Sequence, residues 1–232
     1  MSNNNNKRKT TKSDNPRGSR FFRVAYATIG WVFRVFFNMR VINCEKEPTH
    51  GGYVVCANHV SAVDPIVICL AFKQHQVHFM AKKELFKIPI LAQLIRGLGA
   101  FPVDRGGNDV GAVKHAVSIV AGGKCLGIFP QGHRYVGVDP RDTKVKNGAA
   151  LITARVSAPV VPVYIWRKNN KMKLFGRTYV IIGDTIPFEE FEYNKDESGV
   201  YSRMTEKIFD KVCELGEGFD PKEYKKNRKS AK

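Results

Sequence analysis

From Gly51 onward the chain switches repeatedly between short β-rich runs and stretches with helical spacing. Apolar runs at Tyr53 to Ala57, Val77 to Met80, Gly99 to Val103, Leu126 to Phe129, Val160 to Ile165 and Tyr179 to Ile182 are each bounded by Gly, Pro or polar residues, which marks them as strands. Between them, Pro65 to Phe72, Ile90 to Arg96, Asp109 to Ala121 and Lys146 to Ser157 carry apolar residues three and four apart, the period of one helix face. Val200, Met204, Ile208, Val212 and Leu215 repeat that period in a closing amphipathic helix. Strands alternating with helices predict the α/β class: a mixed, largely parallel sheet flanked by helices. No internal repeat and no long polar linker interrupts residues 43–219, so they are expected to form one domain.

Ahead of that domain, residues 21–42 read FFRVAYATIGWVFRVFFNMRVI, the most hydrophobic stretch of the chain. Arg23, Arg34 and Arg40 interrupt it, so it falls short of the ~20 mostly apolar residues of a spanning helix. It runs into bulky Trp31, Phe33 and Phe36 rather than a small-residue cleavage site, unlike a signal peptide. At ~100° per residue, Arg23, Ala27, Gly30 and Arg34 fall on one stripe, and Phe21, Ala25, Ile29, Val32 and Phe36 fall opposite. The expectation is an N-terminal amphipathic helix over 21–42 that lies in the plane of a membrane; packing of its apolar face on the protein's own core is the alternative.

Charge sharpens that expectation. The formal net charge is +17, and most of it sits in two arms, residues 1–20 and 220–232, read as basic tails. The run Asn3 to Asn6, with the Ser, Thr and Pro around it, predicts disorder up to about Ser19. Such arms seek nucleic acid or an anionic lipid surface. The apolar helix directly after the first arm favours the membrane, and nucleic acid binding would leave the polar residues at the strand ends without a purpose. The five cysteines, Cys44, Cys56, Cys69, Cys125 and Cys213, are odd in number, lie far apart without a CxxC and sit mostly among apolar neighbours, as expected of buried thiols in a reducing compartment. His75-Gln-Val-His78 is read as part of a strand approach rather than a metal site. These features together predict a monotopic or peripheral protein on the cytoplasmic face of a membrane, with no metal.

Open α/β sheets gather ligands outside the carboxyl ends of their strands. Asn58-His59 follows the first run, Asp104-Arg105 the third, and Pro130-Gln131-Gly132-His133-Arg134 the fourth. In NHVSAVDP, residues 58–65, His59 stands five positions ahead of Asp64. Imidazole titrates near neutral pH and accepts a hydroxyl proton at one nitrogen when a carboxylate holds the other. On a continuous helix those positions lie ~140° apart, so the pair must meet across a loop-to-helix turn. The same residues also read as helix capping, with Asp64-Pro65 as N-cap and N1 proline and Ser61 to Asp64 as a capping-box variant. Arg105 and Arg134 offer planar forks for a phosphate, and Gly132 allows close backbone approach beside one of them. The chain contains no GxSxG elbow, Walker A loop or HExxH helix, so if a group such as an acyl chain is transferred, a directly activated acceptor hydroxyl is expected rather than a covalent enzyme intermediate.

NHVSAVDP resembles NHxxxxD, the first motif of the glycerolipid acyltransferase family, which includes the bacterial 1-acyl-sn-glycerol-3-phosphate acyltransferases. AKKELFKIPILAQLIRGLGAFPVDR is similar to that family's second block, which ends in a Gly, a hydrophobic stretch and an Arg. FPQGHR resembles the third motif, usually FPEG followed by Ser or Thr and Arg, and Val161-Pro162-Val163 matches the fourth. The resemblance implies that residues 43–219 are an acyltransferase domain. It also implies that His59 is the base that deprotonates the sn-2 hydroxyl of 1-acyl-sn-glycerol 3-phosphate, with Asp64 orienting it, to give phosphatidic acid. Arg105 and Arg134 would hold the phosphate of this lysophospholipid acceptor, with Gln131 and Gly132 in the same substrate-binding set. The donor would be an acyl thioester, on coenzyme A or acyl carrier protein, attacked in one displacement without a cofactor. The same chemistry on another lysophospholipid, or on a different hydroxylated or aminated lipid, is the alternative. Two positions depart from the family pattern. Gln131 stands where Glu is usual, keeping an acceptor oxygen but losing a charge, and His133 stands where Ser or Thr is usual, adding a second imidazole.

Overall fold

In the computed structural model, which describes residues 20–104 and 109–230, the two-period pattern becomes one seven-stranded sheet covered by helices. Along the chain come α1 (Arg20–Phe36), β1 (Met39–Ile42), β2 (Val54–Ala57), α2 (Asp64–Ala71), β3 (Val77–Lys82), α3 (Pro89–Gly97) and β4 (Ala100–Val103). Then follow α4 (Val110–Ala121), β5 (Cys125–Ile128), α5 (Gly148–Val156), β6 (Val160–Arg167), β7 (Thr178–Ile182), α6 (Val200–Glu214) and α7 (Pro221–Ser230). The strand order is β1-β7-β6-β2-β5-β3-β4, and every neighbouring pair is parallel except β6 with β7.

β2 shows why this sheet forms. Val54 stands opposite Leu126 on one side and Val160 on the other, so the strand is central, and all of its residues are buried. Successive side chains point to opposite faces. Val54 and Cys56 enter the core built with Ala116, Ile152 and Ile208 from α4, α5 and α6, while Val55 and Ala57 enter the core built with Phe33 of α1 and Val67 and Ile68 of α2. A strand covered on both faces reads as a continuous apolar run, which is the pattern of VVCA.

The expected strands reappear as β2 to β7, with ends shifted by a residue or two. The N-terminal segment differs from its expectation. The helix ends at Phe36, Asn38 turns the chain at φ 40, and Met39–Ile42 adds an edge strand parallel to β7 instead of extending the helix to residue 42. The inward stripe of α1 is Tyr26, Ile29 and Phe33, continued by Phe37 just past its end, with the Tyr26 hydroxyl donating to the Leu70 carbonyl at 3.0 Å. The helix thus packs on the protein's own core, yet Trp31 (63% exposed), Val32, Val35 and Phe36 remain exposed beside Leu174 and Phe175. Among the described residues, no helix is long and apolar enough to cross a membrane.

At the other end, the expected basic tail is helix α7 up to Ser230, anchored by Tyr224 against Tyr179 and Phe219 at ring separations of 5.9 and 6.0 Å. The first basic arm, residues 1–19, lies outside the described residues. Four of the cysteines are buried as expected, but Cys44 is exposed, because it opens a short turn, Cys44–Lys46, that has no buried residue. Burial pushes the Cys69 thiol up to about 12 and those of Cys125 and Cys213 to about 11, which makes them packing residues rather than nucleophiles.

Candidate active site

β2 delivers His59, and a side chain extends the strand's pairing to hold it there. The Asn58 carboxamide donates to the Ile165 carbonyl at 3.1 Å and accepts from the Ile165 N–H at 2.7 Å, so it stands in for one more peptide of the β2–β6 ladder. The His59 N–H donates to Gln131 Oε1 at 2.6 Å, and the His59 carbonyl accepts from the Tyr135 N–H at 2.9 Å. With its backbone held from both sides, the imidazole stacks on Phe129 at 4.0 Å between ring centres.

Asp64 opens α2 behind Val63, an N-cap residue whose side chain makes no cap. The Asp64 carboxylate gathers its donors from the loop before the helix and from two other side chains. Oδ2 accepts from the Ser61 and Val60 N–H groups, both at 2.7 Å, and from His59 Nδ1 at 2.9 Å. The N-cap is Val63, so Asp64 is the first helical residue and not the expected N-cap, and its carboxylate ties down the loop ahead of the helix rather than the helix's own first turn. Oδ1 accepts from Nη1 of Arg167 at 2.6 Å, and both side chains are almost fully buried. Arg167 Nε in turn donates to Thr178 Oγ1 at 3.2 Å.

Burial alone would push the Asp64 carboxyl up. The His59 hydrogen bond, the Arg167 charge and the Arg167 hydrogen bond outweigh it and hold the carboxyl below its usual range. An ionised carboxylate only accepts, so His59 Nδ1 carries a proton, and it is the neutral ring that offers its lone pair at Nε2.

His59 lies on the wall of a cavity of about 680 Å³ at the carboxyl ends of β2, β4 and β5. Phe79, Met80, Val103, Ile128 and Phe129 form its sheet side, and Val110, Val113 and Leu151 come from α4 and α5. Such a wall suits a hydrocarbon chain lying beside a proton acceptor.

The other expected site residues divide. Gly132 is on the wall, at φ 72 in a conformation that favours glycine. Gln131, expected to contact substrate, is turned inward and 1% exposed: Oε1 takes the His59 N–H and Nε2 donates to Thr143 Oγ1 at 2.7 Å. Its amide is occupied in positioning His59. Arg134 is exposed and off the wall, and so is His133, whose ring lies 4.1 Å from that of Tyr135. Arg105 lies outside the described residues.

Sequence reasoning missed Arg167. The available signal was a charged residue ending an otherwise apolar strand, VVPVYIWR, since a cation there needs a buried anion.

A carboxylate-held imidazole at the carboxyl edge of a largely parallel sheet, facing an apolar cavity, has the chemistry to activate a nucleophile beside a hydrocarbon chain. Residues 38–166 match the acyltransferase family model, and the chain belongs to that family. A 1-acyl-sn-glycerol-3-phosphate acyltransferase of Bacillus subtilis (strain 168) is 30% identical over 184 residues, 78% of this chain and 90% of the relative. One of Streptococcus pneumoniae is 32% identical over 164 residues, 69% of this chain, which spans 60% of that relative's length. Among solved structures, the 1-acyl-sn-glycerophosphate (LPA) acyltransferase PlsC of Thermotoga maritima superposes with a TM-score of 0.58 at 24% identity. That match covers 85% of this chain and 78% of the other, and it shows the fold.

Proposed function

We propose that this acyltransferase moves a fatty acyl group from an acyl thioester, on coenzyme A or acyl carrier protein, to the sn-2 hydroxyl of 1-acyl-sn-glycerol 3-phosphate, giving phosphatidic acid. The observation that carries the reading is the 2.9 Å contact between His59 Nδ1 and Asp64 on the wall of an apolar cavity. His59 Nε2 takes the hydroxyl proton as the acceptor oxygen bonds to the thioester carbonyl carbon. The carbon–sulfur bond then breaks and the departing thiolate receives the proton from Nε2. Asp64 offsets the charge that the ring gains between those steps, and Arg167 keeps Asp64 ionised. No metal or cofactor takes part. The names of the Bacillus and Streptococcus relatives support the acceptor.

The exposed apolar surface of Trp31, Val32, Val35, Phe36, Leu174 and Phe175 rests on a membrane in this reading, with anionic lipid attracting the basic first arm on the cytoplasmic face.

Acyl transfer from both donors to lysophosphatidic acid in mixed micelles, wild type against His59→Ala, tests the chemistry. Loss of a general base should lower kcat by about 10²–10⁴-fold. A folded variant that keeps activity within tenfold of wild type would overturn the assignment of His59.

A further inference from the structure

The acceptor's phosphate lies only a few bonds from the hydroxyl that His59 must reach, so the cation that holds it must stand at the His59 end of the cavity. Among the described residues, Lys146 and Arg155 are the basic side chains on the wall. α5 presents Gly148, Leu151 and Arg155 to the cavity at helical spacing, which places Arg155 roughly 10 Å along the axis from Gly148. Lys146 stands at the near end.

One turn joins Lys146 to the base. The Lys146 N–H donates to the Pro130 carbonyl at 2.8 Å, and the His59 N–H and carbonyl bond to Gln131 and Tyr135 of the same segment. The Lys146 side chain crosses Gly132, where a Cβ would lie 3.0 Å from Cδ and 3.6 Å from Nζ. At φ 72, Gly132 both makes the turn and leaves that lane open.

The charge is also available. Lys83, Arg141 and Lys211 are paired with Asp104, Glu217 and Glu214, whereas no carboxylate among the described residues pairs with Lys146. We infer that Lys146 is the acceptor-specificity residue, its ammonium binding the phosphomonoester of the lysophospholipid while His59 takes the neighbouring hydroxyl proton. The inference rests on the lysophosphatidate reading above and assigns the phosphate to Lys146, which lines the cavity, in place of Arg134, which lies off its wall.

Steady-state kinetics of the full chain with Lys146→Met and Lys146→Arg test it, using 1-oleoyl lysophosphatidic acid and 1-monooleoylglycerol as acceptors. Loss of a hydrogen bond to a charged group predicts a roughly 10- to 100-fold rise in KM for lysophosphatidic acid in Lys146→Met. Little change in kcat, an unchanged KM for the acyl donor, no added loss on monooleoylglycerol and partial recovery in Lys146→Arg are also expected. Equal loss on both acceptors, or an unchanged KM, overturns the assignment.

Calorimetric binding of a short-chain, water-soluble lysophosphatidate separates this idea from the reaction itself. If the wild type binds it, fails to acylate it and loses binding in Lys146→Met, the proposed reaction fails and the phosphate site stands. No binding by the wild type, or equal binding by wild type and variant, overturns the site whatever the activity.

Discussion

Asp64 gathers four donors on two oxygens: the His59 ring, the Val60 and Ser61 backbone and the Arg167 guanidinium. A buried charge that loses its partner is costly, so Arg167→Met should destabilise the protein by about 3–5 kcal/mol in urea unfolding. Replacing both charges, Asp64→Asn with Arg167→Met, should lose less than the sum of the two single variants, because neither charge is then left alone. Additive losses would show that the pair is not coupled. The pH dependence follows from the lowered Asp64 value. A carboxyl depressed in the folded state contributes stability that is full above about pH 4 and is lost as pH falls through the still lower folded value. Asp64→Asn should therefore flatten the fall of the urea midpoint below pH 4 and leave its shape near neutrality unchanged. At this scale the sequence showed His59 and Asp64 because they lie five positions apart. It hid Arg167, which stands 103 positions from Asp64 and meets it only because β6 lies beside β2.

Strand β5 shapes the cavity through a glycine. A Cβ at Gly127 would lie 2.1 Å from the Phe79 ring, which stacks on Phe129, which in turn stacks on His59. Gly127→Ala forces Phe79 to move, and overpacking of this kind costs about 1–3 kcal/mol. The expected result is a lowered melting temperature together with a raised KM for the acyl donor. A normal melting temperature with normal kinetics would mean that the ring row is not constrained. Most elements were legible because core burial is written into local periodicity, strongly so in VVCA and in the Val200 to Leu215 helix. β1 was not, because Met39–Ile42 continues an apolar run whose helical part stops only where Asn38 takes a positive φ. α7 was hidden by its lysines, and Tyr224 anchors it by finding Tyr179 across the fold.

Across the whole molecule, α1 has two apolar stripes, one packed on α2 through Phe33 and one left exposed with Trp31 and Phe36. If the exposed stripe rests on lipid, Trp31→Ser with Phe36→Ser should weaken binding to phosphatidylglycerol vesicles by at least about tenfold, since each buried large apolar side chain contributes about 1.5–3 kcal/mol. Raising the salt concentration should weaken what remains, through the basic first arm. Vesicle co-sedimentation reads both effects, and unchanged partitioning of the double variant would remove α1 from the interface. The sequence by itself determined the α/β alternation, the buried strands and the local His59–Asp64 pair, because each is encoded in residues close together along the chain. Only the tertiary structure decided which strand ends meet, that Gln131 turns inward to hold His59, and that Arg167 answers Asp64. A side chain's partner depends on strand order and register, and neither is carried by any short stretch of residues.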